Sequence, residues 1–331
     1  MSKIIFLIKC TLINILFFNI FSGCYESKKT ELPVQIQGRD NLIVYQPATE
    51  TAYEIGFKKE QSFGDNGDVF FQFMYEVGID EEERVFISEM AMGKRSVHIF
   101  DSNGNYLGNI GKQGDGPGEY QTPTNLQIVN GYLYLYDNLH QRISAFSLDS
   151  LSFTYALSLP FEDLRKIDEL RGTRVQRFLA RKDGSFLIGF GSLIPNKDPR
   201  YEYYYSMKRD GTLHPERIFE ERAIPVFGYR SNNGSFEGML PFSRKSLTVL
   251  SDNDNIYSVW TEDILVRVFD PEGNEAQVFY HPFSNAILDM DTFESGLLPT
   301  GSLRHAIPHV DFPETWPAIE NMLIDDENRL W

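Results

Sequence analysis

A strand-turn-strand unit that recurs along the chain constrains this sequence more than any other feature. In its clearest copy Val77-Gly78-Ile79-Asp80 precedes Val85-Phe86-Ile87, then Val97-His98-Ile99-Phe100-Asp101, with Gly104 closing a turn. A second copy runs from Leu126 to Val129, turns at Asn130-Gly131, continues to Asp137 and ends Arg142-Ile143-Ser144-Ala145-Phe146. A third contains Phe178-Leu179-Ala180, Asp183-Gly184, Phe186-Leu187-Ile188 and Tyr204-Tyr205-Ser206-Met207 before Asp210-Gly211. The fourth spans Leu247 to Leu250, Asp252 to Asn255, Ile256 to Trp260, and Leu265 to Asp270 before Gly273; a fifth opens at Met322-Leu323-Ile324-Asp325. Asn-Gly and Asp-Gly supply the positive φ that two-residue hairpins require.

The turns near residues 80, 130, 183, 253 and 326 are spaced by 50, 53, 70 and 73 residues. Four short strands with tight turns need roughly 40 to 50 residues, the period of a β-propeller blade. The runs are apolar nearly throughout, as expected when neighbouring sheets cover both faces. The expectation is an all-β propeller over residues 34–331, with Phe161 to Leu170 the only segment read as helical and Ala318 to Ile324 too short to decide. Its last sheet, begun at Asn321, lacks strands, so the chain reads as cut within that blade. Leu42-Ile43-Val44-Tyr45 and Ala52-Tyr53-Glu54-Ile55 are candidates for partial closure, because an exposed edge beside Leu330 and Trp331 invites aggregation.

The stretch Gly111-Lys112-Gln113-Gly114-Asp115-Gly116-Pro117-Gly118-Glu119-Tyr120, after Phe100-Asp101 and Gly104, resembles the NHL-type signature that links one blade to the next. The chain is similar to six-bladed, NHL/TolB-like propeller lipoproteins of Gram-negative bacteria. Only the first copy carries the full glycine motif. The loop lacks the Lys-Ser/Thr pair of a phosphate cradle and opens onto no helix, so it reads as an inter-blade turn.

The N-terminus carries Lys3 and Lys9 around an apolar run ending in small residues, the layout of a secretory signal. Lys9 leaves only Cys10 to Phe21 uninterrupted, shorter than the roughly 20 residues that span a bilayer. Phe21-Ser22-Gly23-Cys24 resembles the lipobox of bacterial lipoproteins, with Phe21 where Leu is usual, and implies acylation of Cys24. Residues 1–23 are then a signal peptide, 24–33 a tether, and the mature chain has 308 residues with a net charge of −18. Two or more acyl chains give stable anchoring. The resemblance implies an outer-membrane lipoprotein facing the periplasm, with surface exposure as the alternative. Cys10 and Cys24 are the only cysteines, too few for a disulfide framework or a cysteine-built zinc site. A net charge of −16 without a basic run disfavours nucleic acid.

Candidate chemistry is sparse. Asp252-Asn253-Asp254-Asn255 begins like a calcium loop, but Tyr257 stands where the glycine belongs, and a hairpin turn is expected. His305 and His309, with Asp311, have metal-ligand spacing on a helix that Pro308 opposes. Ser235 lies in no nucleophile elbow. Gly189 to Tyr203 and Ile224 to Ser246 lengthen two units, and long loops on a regular scaffold tend to carry binding residues. Tyr229, Arg230, Asn232 and Phe236 are therefore assigned to a ligand site at the channel mouth. There Arg230 anchors a glycan or peptide between Tyr229 and Phe236, a structural ion pair being the alternative reading of Arg230. Tyr201, Tyr203, Tyr204 and Tyr205 fit either an aromatic surface or a buried or edge strand. No cofactor or metal is assigned. The functional expectation is a non-catalytic binding or scaffolding module for a glycan, peptide or envelope protein, the alternative being a metal-dependent, NHL-like lyase or lactonase acting on a sugar-derived substrate.

Overall fold

One turn recurs at sheet after sheet. The N–H of its first residue bonds the carbonyl of the fifth, and the N–H of the fourth bonds the carbonyl of the first, as in Asp101 to Asn105, Arg181 to Ser185 and Asp270 to Asn274. The fourth residue has positive φ: Gly104, Gly184 and Gly273, and also Glu83, Asp254 and Asn328. Asp101 and Asp270 close their turns further by accepting from backbone N–H groups two to four residues on. Asp183-Gly184 and Asp210-Gly211 belong to this longer turn, because Gly184 and Gly211 occupy its fourth place. The two-residue hairpin expected from sequence is found at Asn130-Gly131, where φ is 52° and 72°.

The computed structural model describes residues 32–46, 56, 58–64, 69–91, 93–192, 194–196, 199–231, 234–240, 242–289 and 313–331. The chain divides into Met1–Asp40 and Asn41–Trp331. In the first unit Val34–Ile36 forms one 3-10 turn. Cys24 lies outside the described residues, as do Ala52 to Ile55, Asn232, His305, His309 and Asp311.

The second unit begins with β1 (Leu42–Val44) and contains four antiparallel four-stranded meanders. Sheet I holds β2 (Met74–Ile79), β3 (Val85–Ala91), β4 (Lys94–Phe100) and β5 (Tyr106–Asn109). The short parallel pair β6 (Lys112–Gln113) and β7 (Glu119–Tyr120) leads to sheet II: β8 (Pro123–Val129), β9 (Tyr132–Asp137), β10 (Arg142–Ser147) and β11 (Ser152–Ser158). A single helical turn, α1 (Phe161–Leu164), and a 3-10 turn at Asp168–Leu170 replace the helix expected from Phe161 to Leu170. Sheet III holds β12 (Arg174–Ala180), β13 (Phe186–Gly191), β14 (Tyr201–Met207) and β15 (Leu213–Arg222). The hairpin β16 (Phe227–Ser231) and β17 (Gly234–Gly238) precedes sheet IV: β18 (Ser246–Leu250), β19 (Ile256–Trp260), β20 (Ile264–Phe269) and β21 (Glu275–His281).

Strand β1 pairs in parallel with β21, at the outer edge of sheet IV. Leu42–Val44 thus extends the fourth sheet and does not pair with the final hairpin, where Ile324 bridges Leu330. The reason lies in available edges: β21 offers a free edge whose carbonyl at Tyr280 accepts from Tyr45 N–H.

The sheets face one another through side chains. Phe86 and Ile99 of sheet I, with Ile110 just after it, meet Leu126, Leu135 and Phe146 of sheet II. Tyr134, Tyr136 and Ile143 meet Phe178, Phe186 and Ile188 of sheet III, and Tyr204 and Phe219 meet Ile256 and Phe269 of sheet IV. Successive first hairpins are also bonded in order: Asn130 donates to the Lys182 carbonyl, Asp254 accepts from Lys182 N–H, and Asn328 accepts from Asp252 N–H. Sequential sheets packed face to face and stitched turn to turn define an all-β propeller.

Each meander places two tight turns at one end and two connections at the other. The tight end holds the turns after β2, β4 and their counterparts. The opposite end carries the glycine loop, α1, the connection from β13 to β14 and the β16–β17 hairpin, so among the described residues the long insertions leave from the end at which the first strands begin.

Candidate functional site: bulged inner strands around a polar cavity

The first strands are innermost. Gly78 on β2 lets Leu126 and Ile128 of β8 close in, since a Cβ there would sit 2.6 Å from Leu126. β8 in turn contacts β12, and Arg177 on β12 donates to the Ser246 carbonyl on β18.

Three consecutive inner strands share one irregularity. Pairing shifts between Met74 and Glu76 on β2, between Pro123 and Asn125 on β8, and between Val175 and Arg177 on β12. The residues left over are Tyr75, Thr124 and Gln176. β-Bulges of this kind re-aim side chains and gather at barrel rims and active sites. Here they line a cavity of about 170 Å³ with Asn125, Tyr136, Arg174 and Arg177. β18 pairs with β19 without a shift, so the device stops at the third sheet.

The cavity is chemically unfinished. Asn125 Oδ1, Tyr136 Oη and Arg177 Nε are buried without hydrogen-bond partners, and all three residues line it. An unsatisfied buried polar atom costs about 1–3 kcal/mol, so three around one space is expensive unless something fills it. Behind Asn125 lies Glu76, which accepts from the Asn125 side chain and from Leu126 N–H. Burial pushes the Glu76 carboxyl up to about 7, against these hydrogen bonds and the Arg177 charge.

Behind Arg177 a buried polar network joins sheets III and IV. Tyr204 Oη donates to Glu221 and lies within hydrogen-bond distance of Glu202 and Thr248, while Thr248 and Ser258 also donate to Glu221. Burial raises the Glu202 carboxyl, with Arg177 opposing and Glu221 adding to the rise. Among the described residues no group of three or more His, Cys, Asp and Glu is arranged to hold a metal.

Of the residues proposed from sequence, Tyr229, Arg230 and Phe236 lie on the hairpin. Tyr229 is half-buried and pairs in register with Phe236; Arg230 is exposed and pairs with Ser235. The hairpin is fastened to the other insertion, because Asn196 bonds both the N–H and carbonyl of Gly228 and its own N–H donates to the Val226 carbonyl. The two insertions therefore do meet, but Tyr229 and Arg230 are not among the cavity's lining residues. Asn232 is outside the described residues. Sequence reasoning missed Asn125, Tyr136, Arg174, Gln176 and Arg177. The sequence shows only that the first strands β8 and β12 begin with clustered polar residues, Thr124-Asn125 and Arg174 with Gln176-Arg177, while Tyr136 lies on the second strand β9.

The glycine loop is an inter-sheet connection. Glu119 accepts from Gly116 N–H and pairs with Lys112, and Arg142 donates to the carbonyls of Asp115, Gly116 and Glu119. Asp252 to Asn255 forms the β18–β19 turn, with Asp252 paired to Lys182.

Comparison with known proteins agrees with this architecture. A family model for six-bladed β-propellers matches residues 67–171. No curated protein matches the chain. Among solved structures, the chain is similar to a Bacteroides fragilis protein named for export, at 13% identity and a TM-score of 0.48, over 88% of this chain and 79% of that one. It is similar to a duf4221-family member from Bacteroides vulgatus, at 13% identity and 0.42, over 64% and 58% of the two chains. It is also similar to virginiamycin B lyase from Staphylococcus aureus, at 12% identity and 0.33, over 65% and 72%. Among the described residues no helix is long and apolar enough to cross a membrane.

Proposed function

We propose that this chain is an NHL/TolB-like propeller lipoprotein, tethered through Cys24 to the outer membrane and facing the periplasm, that binds a hydroxyl-rich ligand without transforming it. The observation that carries the reading is that Asn125, Tyr136 and Arg177, whose Oδ1, Oη and Nε are buried without hydrogen-bond partners, all line one cavity. Sugar hydroxyls both donate and accept, and Tyr75, Tyr136 and Phe178 offer aromatic surface beside them. A space of about 170 Å³ is below the range of roughly 300 Å³ and upward typical of drug-sized ligands, and suits one glycan ring or a short peptide side chain. The β16–β17 hairpin, with Tyr229, Arg230, Asn232 and Phe236, would meet the rest of such a glycan, peptide or partner protein.

Glu76 favours a second reading. A carboxyl raised to about 7 behind the cavity wall is suited to proton transfer, as a lyase or lactonase acting on a sugar-derived substrate would need. One fractionation-and-capture experiment tests the proposal. Wild type should sediment with outer membranes and retain envelope glycan; Cys24→Ser should become soluble yet still retain it; Arg174→Ala should stay membrane-bound and lose most retention. Release of chemically altered glycan would replace the binding reading with the enzymatic one, and retention unaffected by Arg174→Ala would overturn the cavity assignment.

A further inference from the structure

We propose that Arg200, at the loop-rich end of sheet III on the face turned to sheet IV, is a second binding site and holds a carboxylate. Arg200, Glu202 and Tyr204 alternate along one face of the β14 segment, the face whose Tyr204 packs with Ile256 and Phe269 of sheet IV. Glu202 and Tyr204 are bonded into the network with Glu221 and Thr248, whereas Arg200 stands at its loop-rich end. Arg200 is only 4% exposed, yet its Nε and Nη1 have no hydrogen-bond partner. These atoms lie on different edges of the guanidinium, so the side edge and the end each keep an unfilled donor.

A buried cation with open donors is among the costliest arrangements a fold can hold, and it is relieved by a bound anion. Glu202 opposes the cost through its charge but fills neither donor: the two make no hydrogen bond, and the Glu202 carboxylate is engaged by Tyr204. The neighbouring acids also set the charge of the guest. With Glu202 close behind, a monoanion is tolerated better than a dianion, which selects a carboxylate over a phosphate. The planar guanidinium matches a carboxylate in shape.

The segment carrying Arg200 is held in advance. Asn196 clasps Gly228 on both backbone groups, Pro195 occupies the space a Gly228 Cβ would need at 2.8 Å, and the Arg200 carbonyl accepts from Ala223 N–H. Preorganised donors lose little entropy on binding. This site shares no residue with the polar cavity, so it stands or falls separately from the proposed function.

Acetate is the probe, followed by saturation-transfer NMR and thermal unfolding at constant ionic strength on the mature domain. Wild type should bind acetate saturably and gain thermal stability from it. Arg200→Met should weaken acetate binding at least tenfold while its acetate-free Tm stays level or rises, since two buried donors without hydrogen-bond partners have been removed. Arg174→Gln, which alters the cavity, should leave acetate binding within twofold. If Arg200→Met does not fold, Arg200→Lys takes its place with the same tenfold loss expected, because it keeps the charge but not the planar donors. The proposal is overturned by absence of saturable acetate binding, by acetate binding that survives the Arg200 variant, or by tighter binding of inorganic phosphate. A lower acetate-free Tm for Arg200→Met with unchanged acetate affinity would make Arg200 a structural residue only.

Discussion

The contact between sheets I and II and the contact between sheets III and IV solve the same packing problem with opposite chemistry. The first is filled by Phe86, Val97, Ile99, Leu133, Leu135 and Phe146, with Tyr120 bridging Val97 N–H and the Ile110 carbonyl. The second stacks Tyr204 on Phe219 at 4.3 Å but buries Glu202, Glu221, Thr248 and Ser258 beside the rings. An apolar contact tolerates small shape changes, whereas a buried charged network fails as a unit when one member is lost. The regular contact is thus a scaffold, and the polar one ties scaffold stability to residues at the edge of both proposed binding sites.

The largest expected effect separates the two contacts. Arg177→Ala removes the cation that opposes Glu202 and leaves a void beside Tyr204, and should cost about 3–5 kcal/mol, read as the fall in denaturant midpoint at constant slope. Leu135→Val, a one-methylene loss in the apolar contact, should cost about 1 kcal/mol by the same measurement. Equal losses would erase the distinction. A smaller effect tests the covalent link between sheets I and II. Gly111 has φ of 64°, and a Cβ there would lie 2.7 Å from both the Gly118 carbonyl and the Tyr120 ring. Gly111→Ala should therefore cost about 2 kcal/mol from backbone strain and crowding. A change under about 0.5 kcal/mol would mean that the loop relaxes freely and the glycine is not what fixes these sheets.

The two contacts were not equally legible in the sequence. Strands, turns and the glycine link between sheets I and II followed from local pattern, because Asn130-Gly131 and Gly104 report their own backbone needs. The insertions were legible as length, and they do meet, at Asn196 and Gly228. The cavity was not legible. A bulge at Tyr75, Thr124 or Gln176 is a property of how two strands pair, and nothing local distinguishes a bulged residue from a paired one. The Tyr201 to Tyr205 run left burial open for the same reason: Tyr201 is exposed while Tyr204 is fully buried, a difference set by the neighbouring sheet.

Glu76 places a buried ionisable group at the first contact and gives the most specific test. Burial raises its carboxyl from 4.5 to about 7. Between those values the folded protein holds a proton that the unfolded chain has released, so this group makes stability fall as pH rises through that window. Glu76→Gln keeps the shape, removes the charge, and leaves the Asn125 and Leu126 partners in place. Relative to wild type, the variant should gain on the order of 2 kcal/mol between pH 5 and pH 8, with the difference appearing across the window and levelling off above it. Denaturant titrations of both proteins at the two pH values measure this directly. Parallel pH profiles would show that Glu76 is ionised throughout, solvated through the cavity it backs, and the first contact would then be wetter than its apolar side chains imply. A gain confined to the window would instead leave a neutral carboxyl behind Asn125 at mildly acidic pH and a charged one above neutrality, making ligand binding in the cavity sensitive to pH through the Asn125 side chain.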